Sequence, residues 1–468
     1  MADAAYADQP PTDVINPGVP DAPFYQPLSD PAPGTALSAD EWPQNKQVPL
    51  LFQPLTVGKE AQITLKNRIV VAPMCQYSCA AEGSEAGVLT PWHLVHLGSF
   101  AVRGAALVMV EATSVLPNGR LSPQDSGLWN DRQAEALKPI FDFIRMQGAV
   151  PAIQLGHGGR KTSTLAPWLD ASTIKKPLKS HVATNGAASG WTDNVWGPSA
   201  ISYDEETFPM PKEMTLEQID ELKEAFRAAT ARAVKAGAKV IELHCAHGYL
   251  QTNFLSPVSN QRTDKYGGSL ENRMRLSLEV LEIMKKEMPK DVSLWMRLSA
   301  SEWWPEGEQD DQGEWISWGI EQSKAFCKEA VKRGVDLIDV SSGGNTPRQQ
   351  IKLGPGYQVP FAEAIRKSFS DEERVPIASV GLITGGKQAE EILQNGQADV
   401  VSSPFVIITT LNATESSAVI QVSVARHFLR DPSLVFDWAQ ELGVVVNVPV
   451  QYQRAFTRMM TKSEDKKN

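Results

Sequence analysis

The stretch TLEQIDELKEAFRAATARAVKAGAKVIELH, residues 215–244, places a helix pattern directly before a strand pattern. Thr215 suits a helix N-cap, and Gly237 is the usual kind of residue at a helix end. Between them, apolar side chains recur along one side of a helix: Leu216, Ile219, Leu222, Phe226 and Ala233. KVIELH, residues 239–244, is short and apolar, as a strand buried on both faces should be. The stretch therefore predicts one helix and strand unit of an α/β fold.

Seven further runs of the strand kind lie on either side of this unit. They are NRIVVAP (67–73), AALVMVEA (105–112), VPAIQL (150–155), SLWMRLS (293–299), DLIDVSS (336–342), PIASVG (376–381) and ADVV (398–401). Helical patterns fill the gaps, and eight strands alternating with helices are typical of a (β/α)8 TIM barrel. We expect this barrel to span residues 46–458, with a cap in the loop after strand 3.

The two ends of the chain differ in composition from this central part. The first 45 residues are rich in Pro, Ala and Asp, and no Lys or Arg precedes Lys46. A transit peptide would be basic and a signal peptide would have an apolar segment, so both are excluded. Residues 1–45 are predicted to be a flexible or surface-hugging extension, and residues 459–468 a frayed tail.

Composition excludes several classes of protein. The chain is 42% hydrophobic and 21% charged, which suits a globular enzyme, and it has no run of 18 apolar residues that would predict a membrane helix. A net charge of −10 argues against nucleic acid and favours a small-molecule partner. The four cysteines lack zinc or iron–sulfur spacing: Cys75, Cys79, Cys245 and Cys327. We therefore expect reduced thiols, no metal and a cytoplasmic location.

Polar residues follow the predicted strands, and the chemistry of a TIM barrel gathers at the C-terminal ends of its strands. Gln154 can hydrogen-bond the edge of a planar heterocycle, and Arg297 can neutralise negative charge that develops there. Loops after strands seven and eight commonly bind phosphate, and here they contain Gly381, Gly385 and Arg426. Together these residues predict a flavin mononucleotide (FMN) site.

Three interpretations apply to ELHCAHGYL, residues 242–250. Two histidines could bind a metal, but the sequence offers no third ligand at a suitable spacing. They could also be packed core residues. A third interpretation is recognition of a substrate oxygen, to which the N–H groups of His244 and His247 could donate.

Several longer stretches resemble one known family, the Old Yellow Enzyme flavoproteins, and within it the bacterial and thermophilic ene-reductases. The resemblance runs from about Leu50 to Phe456. It is carried by NRIVVAPMCQYS, LTPWHLVHLGSFAVRGAALVMVEATSVLPNGR, IQLGHGGRK, HCAHGYLQTNFLSPVSNQRTDKYGGSLENR, MRLSASEW, GPGYQVPFAEAIRK and LRDPS. It implies non-covalent FMN, NAD(P)H as reductant, and hydride transfer through flavin N5 to the C=C bond of enones or enals.

The resemblance also assigns roles by position. His244 and His247 match the pair that binds the substrate oxygen, Tyr249 the proton donor, and Tyr77 a substrate-facing residue. Cys75 matches a cysteine near the flavin N5 and O4 edge, although the residue alone favours a small buried hydrophobic position. The flavin contacts fall on Pro73, Met74, Cys75, Ala112, Gln154, Arg297, Gly381, Gly385, Ala425 and Arg426. Ala425 stands where the family often has glycine.

One segment departs from the family. ADVV is followed by SSPFVIITTLNATESSAVIQ, and deleting about 21 residues, 402–422, would restore the family pattern. This apolar insert carries a single charged residue, Glu415, and is a poor surface loop. Two interpretations compete: a true insertion that loops out, or translated non-coding sequence, which we favour. An insert at this position threatens the placement of Arg426 and hence FMN affinity.

Other features keep more than one interpretation. PVQYQRAF resembles a feature in which an arginine, here Arg454, enters the substrate site of a neighbouring subunit in a homodimer or homotetramer; an arginine on a frayed tail is the alternative. Four tryptophans near the site predict either a pocket lining or cap packing: Trp191, Trp196, Trp303 and Trp304. Two alternatives to an ene-reductase are a same-fold flavoenzyme acting oxidatively and a flavin-deficient, non-catalytic barrel.

Overall fold

The computed structural model describes residues 15–171, 182–305, 308–402 and 426–460. Eight parallel strands form a closed barrel. The pairing of Val401 with Ile69 joins the last strand to the first. All eight predicted strands are confirmed, and each apolar run forms one strand: β1 (Ile69–Val71), β2 (Leu107–Ser114), β3 (Val150–Gly156), β4 (Val240–Cys245), β5 (Ser293–Ser299), β6 (Leu337–Ser341), β7 (Ile377–Ser379) and β8 (Val400–Ser402).

Helices connect the strands and cover the barrel. The α-helices of the described residues are α1 (Pro91–Val102), α2 (Asp131–Met146), α3 (Pro167–Ala171), α4 (Leu216–Ala236), α5 (Leu250–Leu255), α6 (Leu270–Glu287), α7 (Ile320–Lys332), α8 (Val359–Lys367), α9 (Gly386–Gln394), α10 (Arg426–Arg430), α11 (Leu434–Glu441) and α12 (Gln453–Met460). Short 3-10 helices span Pro43–Lys46, Leu50–Phe52, Pro117–Gly119, Gly159–Lys161 and Val450–Tyr452. None of these described helices is both long and apolar enough to cross a membrane.

Helix α4 shows why the sequence folds as predicted. The Thr215 hydroxyl accepts a hydrogen bond from the Gln218 N–H at 3.2 Å, and the Gln218 side chain accepts one from the Thr215 N–H at 3.0 Å. Such a cap typically stabilises a helix by about 1 kcal/mol. Ile219, Leu222 and Phe226 are fully buried against the barrel core. The apolar side of α4 thus fixes this helix on the outside of the barrel.

The two ends of the barrel are closed differently. Near its N-terminal end, an antiparallel hairpin of Leu55–Val57 and Ile63–Leu65 packs its apolar residues into the barrel interior. At the opposite end, the long loop after β3 forms the predicted cap. This cap contains α3 and a small parallel pair of strands, Trp196–Gly197 and Lys212–Glu213. The C-terminal end of the barrel is therefore the end shaped for binding.

The described part of the N-terminal extension lies on the barrel. Ala36 forms a β-bridge with Val446, and the Asn45 amide donates to the carbonyl oxygens of Leu37 and Val445, both at 2.8 Å. The buried Asn67 side chain donates to the Gly34 carbonyl at 3.0 Å. These are the contacts of a surface-hugging segment, and they join residues near both ends of the chain.

The atypical insert falls largely outside the described residues. Strand β8 ends at Ser402 and helix α10 begins at Arg426, so residues 403–422 and Ala425 are not described. The predicted tail, 459–468, is described only to residue 460. The barrel is nevertheless closed, because β8 pairs with both β7 and β1.

Candidate active site

Strand register aligns the predicted site residues across the barrel. Ala112 on β2 lies opposite Gln154 on β3, and Gln154 lies opposite Glu242 on β4. One step further along, His244 lies opposite Arg297 on β5, and Arg297 opposite Asp339 on β6. Residues predicted independently on separate strands therefore form one continuous band at the C-terminal half of the barrel.

The centre of this band is a buried charge cluster. The Arg297 guanidinium donates from Nε to Asp339 Oδ2 at 2.9 Å and also through Nη2, and its Nε lies 3.8 Å from Glu242 Oε1. Gln154 donates to the same Glu242 oxygen at 2.7 Å. Burial raises the pKa of Glu242 to about 8, against the opposing effect of Arg297. Although burial opposes the charged form, Asp339 and Glu242 raise the pKa of Arg297, so it stays cationic.

The loop after β1 brings Pro73, Met74, Cys75 and Tyr77 to this end of the barrel. The loop is held by Glu111, whose Oε1 accepts the Gln76 N–H at 3.1 Å. Desolvation, then the carboxylates of Asp125 and Glu111, raise the pKa of the Cys75 thiol. Cys75 is thus a neutral thiol rather than a thiolate, and Tyr77 contacts Trp168 of the cap edge to face at 5.5 Å between ring centroids.

His244, His247 and Tyr249 come together as predicted. The ring centroids of His244 and His247 are 5.2 Å apart, those of His244 and Tyr249 are 5.0 Å apart, and those of His247 and Tyr249 are 6.3 Å apart. The described residues contain no group of three or more His, Cys, Asp or Glu side chains arranged to hold a metal ion. The trio is instead two imidazoles and a phenol grouped at the end of β4 and in the turn that follows it.

Hydrogen bonds fix the protons of the two imidazoles. His244 Nδ1 accepts the Ala246 N–H at 3.2 Å, so the ring proton is on Nε2, which has no hydrogen-bond partner among the described residues. His247 Nε2 lies 2.8 Å from Ser341 Oγ. Ser341 has one hydroxyl proton, and its Oγ also lies 3.3 Å from Gln358 Oε1; when that proton goes to His247, the imidazole carries its own proton on Nδ1 and becomes a second donor.

Both imidazoles and the phenol are neutral. Desolvation holds the pKa of His244 well below its usual range, and the neighbouring His247 and Arg297 lower it further. Desolvation, then Arg297 and Lys161, lower the pKa of His247 to about 3. Desolvation, then Cys75 and Asp125, raise the pKa of Tyr249 well above its usual value, so the phenol keeps its proton.

A pocket with about 260 Å³ of empty space opens beside these groups. His244 and Tyr249 lie on one side of it and Ala112 on another. The remaining lining comes from strand ends and the loops after β2 and β3: Thr113, Ser114, Gly119, Arg120, Leu121, Asp125, Gly156, His157 and Gly158. The pocket thus touches both the predicted flavin band and the predicted proton donor.

The four tryptophans mostly pack within the cap and loops. Trp196 stacks on His157 with centroids 5.7 Å apart, and Trp191 lies against the Arg120 guanidinium, 4.9 Å from its ring centroid. Trp303 donates to Ser342 Oγ at 2.8 Å, and Trp304 lies beside a guanidinium at 5.0 Å. Through His157 and Arg120, Trp196 and Trp191 support pocket-lining residues from behind.

The phosphate part of the prediction is only partly described. Gly381 follows β7, and Gly385 is the N-cap of α9. The N–H of Gly386 donates to Glu441 Oε2 at 2.6 Å, so a carboxylate already binds this helix N-terminus. Arg426 begins α10, but its side chain is not described, and Ala425 lies outside the described residues. Arg454 is exposed on α12, on the outer surface of the chain.

Sequence reasoning missed several polar residues around the site. Lys161 donates to the His247 carbonyl at 3.0 Å and lies 4.1 Å from the Tyr203 ring centroid. Burial, and then Arg160, lower the pKa of Lys161 to about 7. Lys161 follows Gln154 in the motif IQLGHGGRK, and its place just after a barrel strand was the available signal.

Comparison with known proteins identifies the family. A model of the NADH:flavin oxidoreductase / NADH oxidase family matches residues 50–409. The chain belongs to the NADH:flavin oxidoreductase family. An NADH:flavin oxidoreductase from Gibberella zeae is 41% identical over 93% of this chain and 94% of its own length. A Geobacillus NADPH dehydrogenase is 38% identical over 87% of this chain and 98% of its own length.

Solved structures show the same fold at lower identity. Old Yellow Enzyme from Pichia sp. has a TM-score of 0.61 and 22% identity, over 87% of this chain and 90% of that chain. Morphinone reductase has a TM-score of 0.59 and 23% identity, over 86% and 91%. The family match confirms the predicted flavoprotein family, and these neighbours, Old Yellow Enzyme among them, show the TIM-barrel fold.

As a member of the NADH:flavin oxidoreductase family, the chain is an NAD(P)H-dependent flavin oxidoreductase with non-covalent FMN as its cofactor. This sets aside the non-catalytic alternative. The polar atoms at this point suit a flavin ring. The acceptor Gln154 Oε1 and the donor Arg297 Nη1 make no hydrogen bonds within the described residues, although both side chains are buried. A polar heterocycle at this point would satisfy both atoms.

Proposed function

We propose that the enzyme reduces the C=C bond of α,β-unsaturated carbonyl compounds, the ene-reductase reaction. The observation that carries the proposal is the trio of His244, His247 and Tyr249, in which neutral N–H donors and a protonated phenol meet at the end of β4, with the His244 ring centroid 5.2 Å from that of His247 and 5.0 Å from that of Tyr249. Reduction of an enone requires an electrophilic group at its carbonyl oxygen and a proton donor at its α carbon. A bound flavin would supply the hydride, taken from NAD(P)H and delivered to the β carbon.

The histidines act on the carbonyl oxygen of the substrate. Nε2–H of His244 and Nδ1–H of His247 would donate to that oxygen and stabilise the negative charge that develops as the alkene is reduced. Because both rings are neutral, they contribute as hydrogen-bond donors, and the substrate oxygen is polarised without being protonated. Removing one such donor typically costs about 10²–10³ in rate.

Tyr249 then delivers a proton to the α carbon. Its phenol is 5.0 Å from the His244 ring by centroid, so an oxygen held by His244 places the adjacent carbons within reach of this side chain. The raised pKa of Tyr249 keeps the proton available at neutral pH. General-acid catalysis of this kind contributes about 10²–10⁴ in rate.

Residues of the strand ends would hold the cofactor. Gln154, Arg297 and Ala112 would contact the flavin ring, Pro73, Met74 and Cys75 its other edge, and Gly381, Gly385, Ala425 and Arg426 the phosphate. Arg297 is the fixed cation of this group and would neutralise negative charge on the ring. Its bonds to Asp339 hold the guanidinium in place before the ring binds.

Tyr249→Phe tests the proposal, because it removes the acidic proton and keeps the ring. We expect flavin reduction by NADPH to keep its wild-type rate, whereas 2-cyclohexenone reduction slows by about 10²–10⁴ in separate stopped-flow half-reactions. Equal slowing of both half-reactions would contradict the assignment of Tyr249.

A second measurement tests the histidines separately. A phenolate bound over flavin gives a long-wavelength charge-transfer band, and we expect para-hydroxybenzaldehyde to produce one. The double variant His244→Ala/His247→Ala should lose this band and retain flavin absorbance near 450 nm. Loss of the flavin from the double variant would instead make the histidines cofactor ligands.

A further inference from the structure

A fully buried polar network lies directly behind the turn that carries Tyr249. Its centre is Asn345 in the loop after β6, with no solvent exposure. Asn345 Oδ1 accepts from Asn253 Nδ2 at 2.9 Å and from Arg160 Nη2 at 3.3 Å. Asn345 Nδ2 donates to Ser259 Oγ at 3.1 Å and to the Glu302 carboxylate. All the hydrogen-bonding positions of this side chain are therefore used.

The partners of Asn345 come from different barrel loops. Arg160 belongs to the loop after β3, Asn253 to the segment after β4, and Glu302 to the loop after β5. Glu302 also accepts the Trp318 N–H at 2.9 Å. One amide thus joins the loops after four consecutive strands, and these loops surround the proposed proton donor.

A short chain of contacts leads from Asn345 to Tyr249. Asn345 Oδ1 orients the Asn253 amide, and the same Asn253 Nδ2 donates to the Gly248 carbonyl at 2.8 Å. That carbonyl belongs to the peptide group immediately before Tyr249. The Asn253 main-chain N–H also donates to the Tyr249 carbonyl at 2.8 Å. Asn253 therefore fixes the peptide groups on both sides of Tyr249.

His247 is anchored independently of this chain. Its main-chain N–H donates to Ser299 Oγ at 2.9 Å, and its ring is bound to Ser341. Loss of the Asn345 amide should consequently move Tyr249 more than it moves the histidine. The network thus acts on proton delivery in particular.

We propose that Asn345 is a positioning residue for Tyr249, acting through Asn253 and the Gly248 carbonyl. The inference rests on the proposed function, because it requires Tyr249 to be the proton donor. Catalytic geometry is sensitive at this scale: a misplacement of about 1 Å can cost about 10²-fold in rate. The flavin and the oxygen-binding histidines are held by other contacts and should be little affected.

A double-mutant cycle tests this inference in the FMN-loaded full chain. Asn345→Ala should slow the 2-cyclohexenone step about 10- to 100-fold when Tyr249 is present, and less than about twofold in the Tyr249→Phe background. Asn253→Asp removes the donor to Gly248 at nearly constant volume, and it should behave in the same way. This second variant decides the question if Asn345→Ala does not yield folded flavoprotein.

The matched control is Asn67→Ala. Asn67 is equally buried and donates to two carbonyl oxygens, of Gly34 and Gly104, at the opposite end of the barrel. It should leave the alkene step unchanged in both backgrounds. Hydrogen exchange gives an independent readout: the amide hydrogen of Asn253 should exchange faster in Asn345→Ala and not in Asn67→Ala.

The outcomes separate the two hypotheses. If the wild-type enzyme does not reduce 2-cyclohexenone, the proposed function fails; if it does and Tyr249→Phe leaves the alkene step unchanged, the assignment of Tyr249 fails and the inference fails with it. If the step depends on Tyr249 but Asn345→Ala slows it equally in both backgrounds, or not at all, the inference alone is overturned. Slowing confined to the background that retains Tyr249 supports the positioning role.

Discussion

Substituting Gly248 by alanine should separate proton delivery from folding. Gly248 has a φ of +72°, a conformation that costs an L-residue about 1–2 kcal/mol. A Cβ at this position would lie only 2.1 Å from the Gly344 carbonyl oxygen of the loop after β6. Two separate effects are therefore expected, one of backbone strain and one of collision.

The size of the collision follows from the structure. Real Cβ contacts begin at about 3.0 Å, so the oxygen 2.1 Å away must retreat by about 0.9 Å. Lys161 is bonded both to Gly344 and to the turn that carries Tyr249, so the two sides share the retreat and Tyr249 shifts by up to about 0.9 Å. A displacement of about 1 Å corresponds to roughly a hundredfold loss in the alkene step.

Gly268→Ala is the matched control. Gly268 has a φ of +77°, and a Cβ there would meet nothing within 4 Å. Both variants should lose about 1–2 kcal/mol of unfolding free energy from strain, measured by urea denaturation, and only Gly248→Ala should lose the alkene step in stopped flow. Equal rates in Gly248→Ala and wild type would refute the claim that contact between these loops sets the position of Tyr249.

Three further predictions concern other parts of the chain. Removing residues 402–422 should increase soluble yield and tighten FMN binding at least about tenfold in a fluorescence titration. The reason is that a charge-assisted contact between Arg426 and the phosphate is worth about 1.5–3 kcal/mol. Unchanged affinity and yield would show a tolerated natural loop. Burial lowers the pKa of His157 to about 3, so below pH 6.5 this imidazole binds a proton in the unfolded chain and not in the folded chain. The free energy of unfolding should therefore decrease as the pH is lowered from 6.5 toward 3. His157→Asn should reduce this dependence on pH by about 1.4 kcal/mol per pH unit in urea titrations; an identical dependence would contradict the burial of a neutral ring. Arg454→Ala should weaken binding of para-hydroxybenzaldehyde without changing the mass of the assembly in light scattering, and unchanged affinity would leave Arg454 as a surface residue.

Local sequence was enough to predict the barrel. The run SLWMRLS coincides with β5, because a strand buried on both faces has consecutive rather than alternating apolar residues, and that pattern is local. The same logic located His244 and Arg297, since a residue at a strand end needs no further information to be placed at the catalytic end of a TIM barrel.

Long-range partners could not be predicted in the same way. Asn253 and Asn345 are 92 positions apart, and each alone reads as an ordinary loop asparagine. Glu441 lies 55 positions from Gly386, so nothing near GLITGG indicated that a carboxylate would occupy the N-terminus of α9. Hydrogen-bond partners are chosen by the folded arrangement of loops, which periodicity does not specify.

Because the N-terminal extension lies along the base of the barrel, the folded structure begins before the family match does. The family model matches residues 50–409, yet Asn45 and Gly34 precede that match and hydrogen-bond Val445 and Asn67 of the folded chain. A chain begun at residue 50 would remove one of the two acceptors of the Asn67 amide and the Asn45 donor to the Val445 carbonyl, at about 1–3 kcal/mol for the buried Asn67 group left unsatisfied. The family model therefore covers a shorter segment than the one these hydrogen bonds join, and truncation designed on the bounds of the model alone would remove part of the folded structure.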